Sequence, residues 1–243
     1  DMRTAYREHL DSFSHDLIIM CDIVHNTLRL ASEALIDSEL HAAEEAMSLR
    51  EELDEVRNRC EERAVLLLAL ENPMAKDLRQ VVSSIYIVED LHRMGRLAQH
   101  VASAARRRHP ENVVPAEYIG YFEELARLND DMIRMLREIL VTPDPDTALR
   151  MASEDDAVDD INHYLLSILT NREWEASVRE AVETAQMTRY YERFADHCVS
   201  VAGRIIYLST GLAPEAYMAK LSEEERDKEF ESRMAELERQ FRH

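Results

Sequence analysis

Four carboxylates in the C-terminal half of the chain have the spacing of a metal site. Glu192 and Asp196 lie four residues apart in one segment with helical periodicity, and Asp155 and Asp159 lie four apart in the segment before it. Residues four apart share one face of a helix, so two adjacent antiparallel helices could bring both pairs together. Converging carboxylates repel one another unless they are protonated or bind a cation. An all-oxygen ligand set favours a hard ion such as Mg²⁺, Mn²⁺, Ca²⁺ or iron.

Such acidic pairs also arise by chance, since 49 of the residues are Asp or Glu, and a pair of this kind is usually a solvated helix face. These two pairs differ from such chance pairs because both lie beside an apolar stripe of their helix. His163 and His197 lie nearby in sequence but form no HxxxH or HExxH pattern, so we interpret each as a hydrogen-bonded structural histidine.

The composition excludes several classes of protein. The net charge of −20 opposes binding to nucleic acid or to an anionic membrane, and it repels free phosphate unless a cation reverses the local sign. The three widely spaced cysteines predict reduced core thiols in a cytoplasmic protein. The longest apolar run, residues 64–70, is far shorter than the ~20 residues that a membrane-spanning helix requires.

Helical periodicity and the scarcity of Gly and Pro predict an all-α fold. Asn72-Pro73 should break one helix, because the residue before a proline disfavours helical geometry. Prolines also mark a linker at residues 110–115 and a turn at residues 143–145. The predicted helices span residues 2–35, 38–70, 74–107, 116–140, 146–170 and 174–209.

An internal repeat organises these helices. Residues 78–102 align without a gap on residues 178–202, with identities at Arg79/Arg179, Val82/Val182, Arg93/Arg193 and Val101/Val201. A repeat at this offset predicts two pseudo-symmetric antiparallel three-helix bundles.

The repeat also predicts the division into domains. The two bundles are expected at residues 2–109 and 116–212, followed by a charged helical tail at residues 213–243. That tail is either a solvated extension or a helix that binds a partner or dimerises.

Three segments together resemble the PhoU family of phosphate-signalling regulators: ENPMAKDLRQVV at 71–82, DLHRMGRLAQHVA at 90–102 and YERFADHCVSVA at 191–202. The resemblance implies two three-helix bundles and a cytoplasmic negative regulator of the phosphate-starvation response. It implies action between the ATPase of the phosphate ABC transporter and a membrane sensor histidine kinase, and a homodimer is expected.

The family also implies multinuclear clusters, with iron or zinc, on Glu/Asp-xxx-Asp motifs of the third and sixth helices. Acidic residues of the second and fifth helices assist them. In this sequence Glu192 and Asp196 match the motif of the sixth helix, and Asp155 and Asp159 match the acidic positions of the fifth. We therefore expect a metal ion, whether iron, zinc or magnesium, in the second bundle.

The first bundle departs from the family pattern. His92 and Arg96 stand at the motif positions, Arg50 stands where the second helix should carry an acid, and only Asp54 remains. An arginine is always charged and cannot ligate a metal, so the first cluster is predicted to be lost. Arg50 and Arg96 are expected instead to form ion pairs with Asp54 or Glu89.

The predicted function is that of a non-enzymatic signalling adaptor. A di-iron carboxylate enzyme in a helical bundle would use two Glu-x-x-His motifs, and the sequence carries only Glu89-Asp-Leu-His92. A purely structural helical bundle is a further alternative. The repetition of charged residues at a 100-residue offset argues against it, since packing alone does not require that repetition.

Overall fold

The computed structural model describes residues 2–69, 75–171 and 173–242, and within these ranges the chain is helical with no strand. The all-α prediction is confirmed, whereas the predicted break at Asn72-Pro73 lies outside the described residues. The helices are α1 (Met2–Asp37), α2 (Leu40–Ala69), α3 (Ala75–Arg108), α4 (Ile119–Val141), α5 (Pro145–Leu169), α6 (Val178–Thr210) and α7 (Pro214–Phe241), with a short 3-10 turn, Ala116–Tyr118, before α4.

Local chemistry fixes both ends of α6. Ser177 and Glu180 form a capping box, in which each side chain accepts a hydrogen bond from the backbone N–H of the other residue. The helix therefore begins at Val178 and not at residue 174 as predicted. Gly211 ends it with φ 76°, a left-handed conformation that glycine adopts without steric cost.

Helices α1, α2 and α3 pack against one another, and so do α4, α5 and α6, which confirms the predicted pair of three-helix bundles. The two bundles meet through the helix pairs α3–α6 and α1–α4. Large, fully buried side chains of both bundles belong to one continuous apolar cluster, among them Phe13, Leu53, Leu91, Phe122 and Phe194. The division into domains at residues 2–109, 116–212 and 213–243 stays a prediction, because this core continues across the first boundary.

Polar contacts tie the two bundles together inside their interface. The Tyr191 and Ser32 hydroxyls are 2.8 Å apart and buried. Asp90 of α3 pairs with His197 Nδ1 at 2.8 Å and accepts a hydrogen bond from Ser200 Oγ at 3.0 Å. A buried polar group costs free energy unless it is paired, so the Tyr191–Ser32 pair favours one relative placement of the bundles, and the more exposed Asp90 contacts add to it.

Helix α7 has no buried residue, and the predicted charged helical tail is confirmed. It contacts α6, and the Tyr217 hydroxyl donates to Asp146 of α5 at 3.3 Å. Within the described ranges, none of the helices combines the length and the apolar character that spanning a membrane would require. The cysteines are free and buried, as the sequence predicts, at Cys21, Cys60 and Cys198.

Candidate metal centre

Helices α5 and α6 bring the predicted carboxylates to one place. Helix α5 carries the first acidic pair and α6 the second, and the two helices pack against each other. The Thr188 hydroxyl of α6 donates to the Asn162 side chain of α5 at 3.1 Å. Asp155, earlier on α5, lies beside Asp196, later on α6, so the helices run antiparallel.

Three of the four predicted ligands converge. One oxygen from each of Asp155, Asp159 and Asp196 lies within 4.8 Å of the other two. Glu192 is not part of this group, because its carboxylate accepts two hydrogen bonds from Arg189 Nη1, at 2.8 and 2.7 Å. To become a ligand, Glu192 would have to leave Arg189.

The electrostatics of the group are those of a site that attracts positive charge. Burial raises the pKa of Asp155 to about 7, and the charges of Asp159 and Asp196 add to the effect. Burial, followed by the repulsion of neighbouring acids that include Glu192, also raises the pKa of Asp159 and of Asp196. With its proton, Asp155 shares a hydrogen bond with Asp196.

One carboxylate oxygen of the group has no hydrogen-bond partner among the described residues. Asp155 Oδ1 is buried and accepts no hydrogen bond from any residue that the structure describes. An unpaired buried carboxylate oxygen costs free energy, and a bound cation removes that cost. Two oxygens on opposite sides of one ion are about 4–5 Å apart for metal–oxygen bonds of about 2.0–2.6 Å. The upper limit of 4.8 Å on the oxygen separations is therefore compatible with a single cation.

The donor set distinguishes between metals. All three groups offer oxygen, and no cysteine or histidine belongs to the described cluster. Zinc prefers nitrogen and sulfur ligands, whereas Mg²⁺, Mn²⁺, Ca²⁺ and iron accept carboxylates. The three aspartates therefore suit a hard ion better than zinc.

The two nearby histidines differ in role. His197 pairs with Asp90, so its interpretation as a hydrogen-bonded structural histidine is confirmed. His163 lies close enough to Asp159 for its charge to oppose the raised pKa of that carboxyl. Its side chain is exposed and forms no hydrogen bond within the described ranges, so the prediction of a hydrogen-bonded His163 was wrong.

The first bundle pairs its charges across α2 and α3. His92 Nε2 lies 2.8 Å from Asp54 Oδ1, and Arg57 Nη2 donates to Glu89 Oε1 at 3.1 Å. Both side chains of the Glu89-x-x-His92 motif therefore face α2. In di-iron bundles this motif projects toward further glutamates, whereas here it meets a guanidinium and a carboxylate.

The expected ion pairs of Arg50 and Arg96 were wrong. Neither guanidinium bonds to Asp54 or Glu89, and in the described part of the chain neither bonds to another carboxylate. The physical reason is competition, since His92 and Arg57 occupy the two acids.

Two three-helix bundles with a shared core, and acidic pairs on α5 and α6, define a class of all-helical proteins. Comparison with known sequences identifies the family. The sequence model of the PhoU domain matches residues 17–105 and 122–205, one match in each bundle. The chain belongs to the PhoU family. Helix α7 lies beyond both matched regions.

Two relatives illustrate the sequence similarity. The chain is 43% identical over 213 residues to the phosphate-specific transport system accessory protein PhoU homolog 2 of Mycobacterium tuberculosis, covering 88% of this chain and 100% of that protein. It is 42% identical over 214 residues to PhoU homolog 1 of Mycobacterium leprae, covering 88% and 96%.

Solved structures show the same fold. PhoU from Pseudomonas aeruginosa superposes with a TM-score of 0.78 at 24% identity, covering 85% of this chain and 100% of that one. The phosphate transport system regulatory protein PhoU from Streptococcus pneumoniae gives 0.77 at 22% identity, covering 86% and 98%.

Proposed function

We propose that the protein is a non-enzymatic, cytoplasmic negative regulator of the phosphate-starvation response that couples the ATPase of a phosphate ABC transporter to a sensor histidine kinase. The observation that carries this proposal is the match of both bundles to the PhoU domain, together with relatives named as accessory proteins of phosphate-specific transport systems. The assignment of the ATPase and the kinase as the two partners rests on the resemblance of the sequence to the PhoU family.

Exposed apolar residues at repeat-related positions support a role in partner binding. Leu78 and Val82 of α3 correspond in the repeat to Val178 and Val182 of α6, and all four side chains are exposed. Asp90 in the middle of α3 meets His197 of α6, and Arg108 at the end of α3 meets Glu183 near the start of α6, so the two helices run antiparallel.

The two apolar pairs therefore lie at opposite ends of the α3–α6 interface. Exposed apolar side chains gain free energy when a partner covers them. We assign these two ends to the transporter ATPase, because the repeat places a similar apolar pair on each bundle.

A pull-down with the purified transporter ATPase tests this function. The wild-type chain should retain the ATPase, and Val82→Asp or Val182→Asp should weaken retention at least about tenfold, because a carboxylate buried in an interface costs several kcal/mol. Val141→Asp, a change at an exposed valine at the end of α4, is the matched control and should bind as wild type does. Failure of the wild-type chain to retain the ATPase in this pull-down, or the sensor kinase in a parallel one, would refute the proposed coupling.

We further propose that Asp155, Asp159 and Asp196 hold one hard metal ion, with Glu192 able to join them on leaving Arg189. A bound cation would neutralise the mutual repulsion of these carboxylates and tie α5 to α6. Its role would be to stabilise the second bundle. The orphaned buried oxygen of Asp155 supports this proposal.

A further inference from the structure

A pair of arginines without an acidic partner among the described residues lies between α2 and α3. Two successive contacts set the register of these antiparallel helices: Arg57 meets Glu89, and Asp54 meets His92. Each next contact lies one turn further along both helices, toward the start of α2 and the end of α3. The next pair of facing positions therefore consists of the residue four before Asp54 on α2 and the residue four after His92 on α3.

Those two residues are Arg50 and Arg96. Arg50 is exposed and Arg96 is half-buried. Their effect on a neighbour supports this placement, because the pKa of His100, one turn beyond Arg96, is lowered by burial and then by the charges of Arg96, Arg107 and Arg50. The charges of three arginines thus act on one imidazole, in a chain whose net charge is −20.

This pair of facing positions is the charge-reversed counterpart of the metal centre. In the repeat, Arg96 corresponds to Asp196, and the facing position on the preceding helix is Arg50 in the first bundle and Asp155 in the second. Where the second bundle places two carboxylates that attract a cation, the first places two guanidinium groups. Two like charges at facing positions without a counter-ion attract an ion of opposite charge.

We propose that Arg50 and Arg96 bind an inorganic phosphate ion, each guanidinium donating hydrogen bonds to its oxygens. The planar fork of a guanidinium matches a tetrahedral oxyanion and can bond to two of its oxygens. His100 forms one wall of the site, where its ring stacks on Tyr190 of α6 with centroids 5.4 Å apart. The choice of phosphate among small oxyanions rests on the proposed function, whereas the anion site rests on the geometry alone.

Phosphate titration of the full-length chain tests the site. The protein is first treated with a chelator, so that no metal supplies the positive charge, and ionic strength is held constant with chloride. Wild type should bind phosphate saturably, with a shift of the His100 imidazole signals in NMR spectra. The double variant Arg50→Gln/Arg96→Gln should bind at least about tenfold more weakly, because it loses both charge-assisted donors.

Arg127→Gln is the matched control. It removes the same charge from an exposed arginine of α4 that pairs with Glu124 and Asp131, and it should bind phosphate as wild type does. Absence of saturation in wild type up to about 10 mM phosphate would overturn the proposal, and so would a double variant within about twofold of wild type.

The phosphate site and the proposed coupling can fail separately. Loss of ATPase binding with intact phosphate binding would refute the coupling and leave this site standing. Retention of the ATPase by a chain that binds no phosphate would overturn the site and leave the coupling standing.

A second inference comes from α7. Its last exposed apolar side chains follow one another at intervals of four, three and four residues, namely Phe230, Met234, Leu237 and Phe241. This is the d-a-d-a spacing of a coiled-coil seam. Helix α7 buries none of its residues in its own chain, so this seam is unpartnered within the described structure.

The flanking charges indicate what covers the seam. In this register Arg226 and Arg233 occupy g positions, and Glu231 and Glu238 occupy e positions. In a parallel dimer each g residue meets the e residue five positions later on the other helix, so each of these arginines would meet a glutamate of the second copy. An antiparallel pair would oppose like charges. We infer that α7 forms a parallel coiled coil with the α7 of a second copy of this chain.

Charge exchange in the full-length chain tests the coiled coil. Glu231→Arg/Glu238→Arg should be monomeric by sedimentation, since all four flanking positions become basic, and Arg226→Glu/Arg233→Glu should be monomeric because they become acidic. Mixing the two variants should restore a dimer, now a heterodimer. A monomeric wild type, or dimers that neither charge reversal weakens, would overturn the inference.

Discussion

The acidic group on α5 and α6 predicts an unusual dependence of stability on pH in metal-free protein. Burial and the neighbouring acids raise the pKa of Asp155 from 3.8 to about 7, so the folded chain holds a proton that the unfolded chain releases above pH 3.8. Because the folded state binds more protons, stability falls as pH rises from about 4 to about 7. An ion-paired aspartate has the opposite effect, because its lowered pKa makes stability rise with pH.

The size of the effect follows from the same pKa. A rise from 3.8 to about 7 corresponds to at most about 4 kcal/mol. The carboxyl is only partly buried, so solvent screening reduces this figure to about 1–2 kcal/mol. Asp155→Asn replaces the protonated acid by a neutral amide that can still donate to Asp196. The variant should therefore be more stable than wild type by about 1–2 kcal/mol at pH 8 and about equal to it at pH 4.

Urea denaturation in the presence of a chelator at the two pH values measures this difference. Asp160→Asn is the matched control, because it removes the same charge from an exposed position of α5 outside the group. It should leave the pH dependence unchanged. If Asp155→Asn and Asp160→Asn shift stability alike at both pH values, the reasoning about the acidic group is refuted. A hard metal ion added at pH 8 should stabilise wild type and have a smaller effect on Asp155→Asn.

Three further predictions concern packing and the centre. Asp196→Ala should abolish metal uptake without unfolding the chain, as measured by elemental analysis and circular dichroism. Asp90→Ala should destabilise the protein by about 1–3 kcal/mol in urea titrations, because it leaves His197 and a serine without their acceptor across the bundle interface. Gly95→Ala should lower the free energy of unfolding by about 1–3 kcal/mol in the same titrations, because the new Cβ would overlap the buried Leu53 side chain. Gly120→Ala is the control, since its Cβ meets no described atom within 4 Å, and it should cause no loss of stability.

The helices could be predicted from the sequence because apolar residues recur with the period of a helix. The apolar pattern places the start of α6 four residues too early, although Ser177 and Glu180 have the spacing of a capping box. The apolar pattern extends through this loop to Trp174, whose indole N–H donates to the Ser177 carbonyl at 3.1 Å. A tryptophan that packs on a loop cannot be distinguished by periodicity from one that packs in a helix.

The site could be predicted only in part. Spacing of four residues places Asp155 and Asp159 on one face, and the antiparallel neighbour brings Asp196 to them. Spacing does not decide which of two neighbours a long side chain will choose, so it could not show that Glu192 turns to Arg189, three residues earlier on the same helix. Competition of the same kind explains the first bundle, where Arg57, and neither Arg50 nor Arg96, pairs with Glu89.

Metal content tests the central claim about the second bundle most directly. Elemental analysis of protein purified without chelator should find about one hard metal ion per chain in wild type and in Asp160→Asn. The double variant Asp155→Asn/Asp196→Asn should contain none, while its circular dichroism spectrum stays that of wild type. Equal metal content in wild type and the double variant, or none in wild type after addition of Mg²⁺, Mn²⁺ or iron, would contradict the proposed centre.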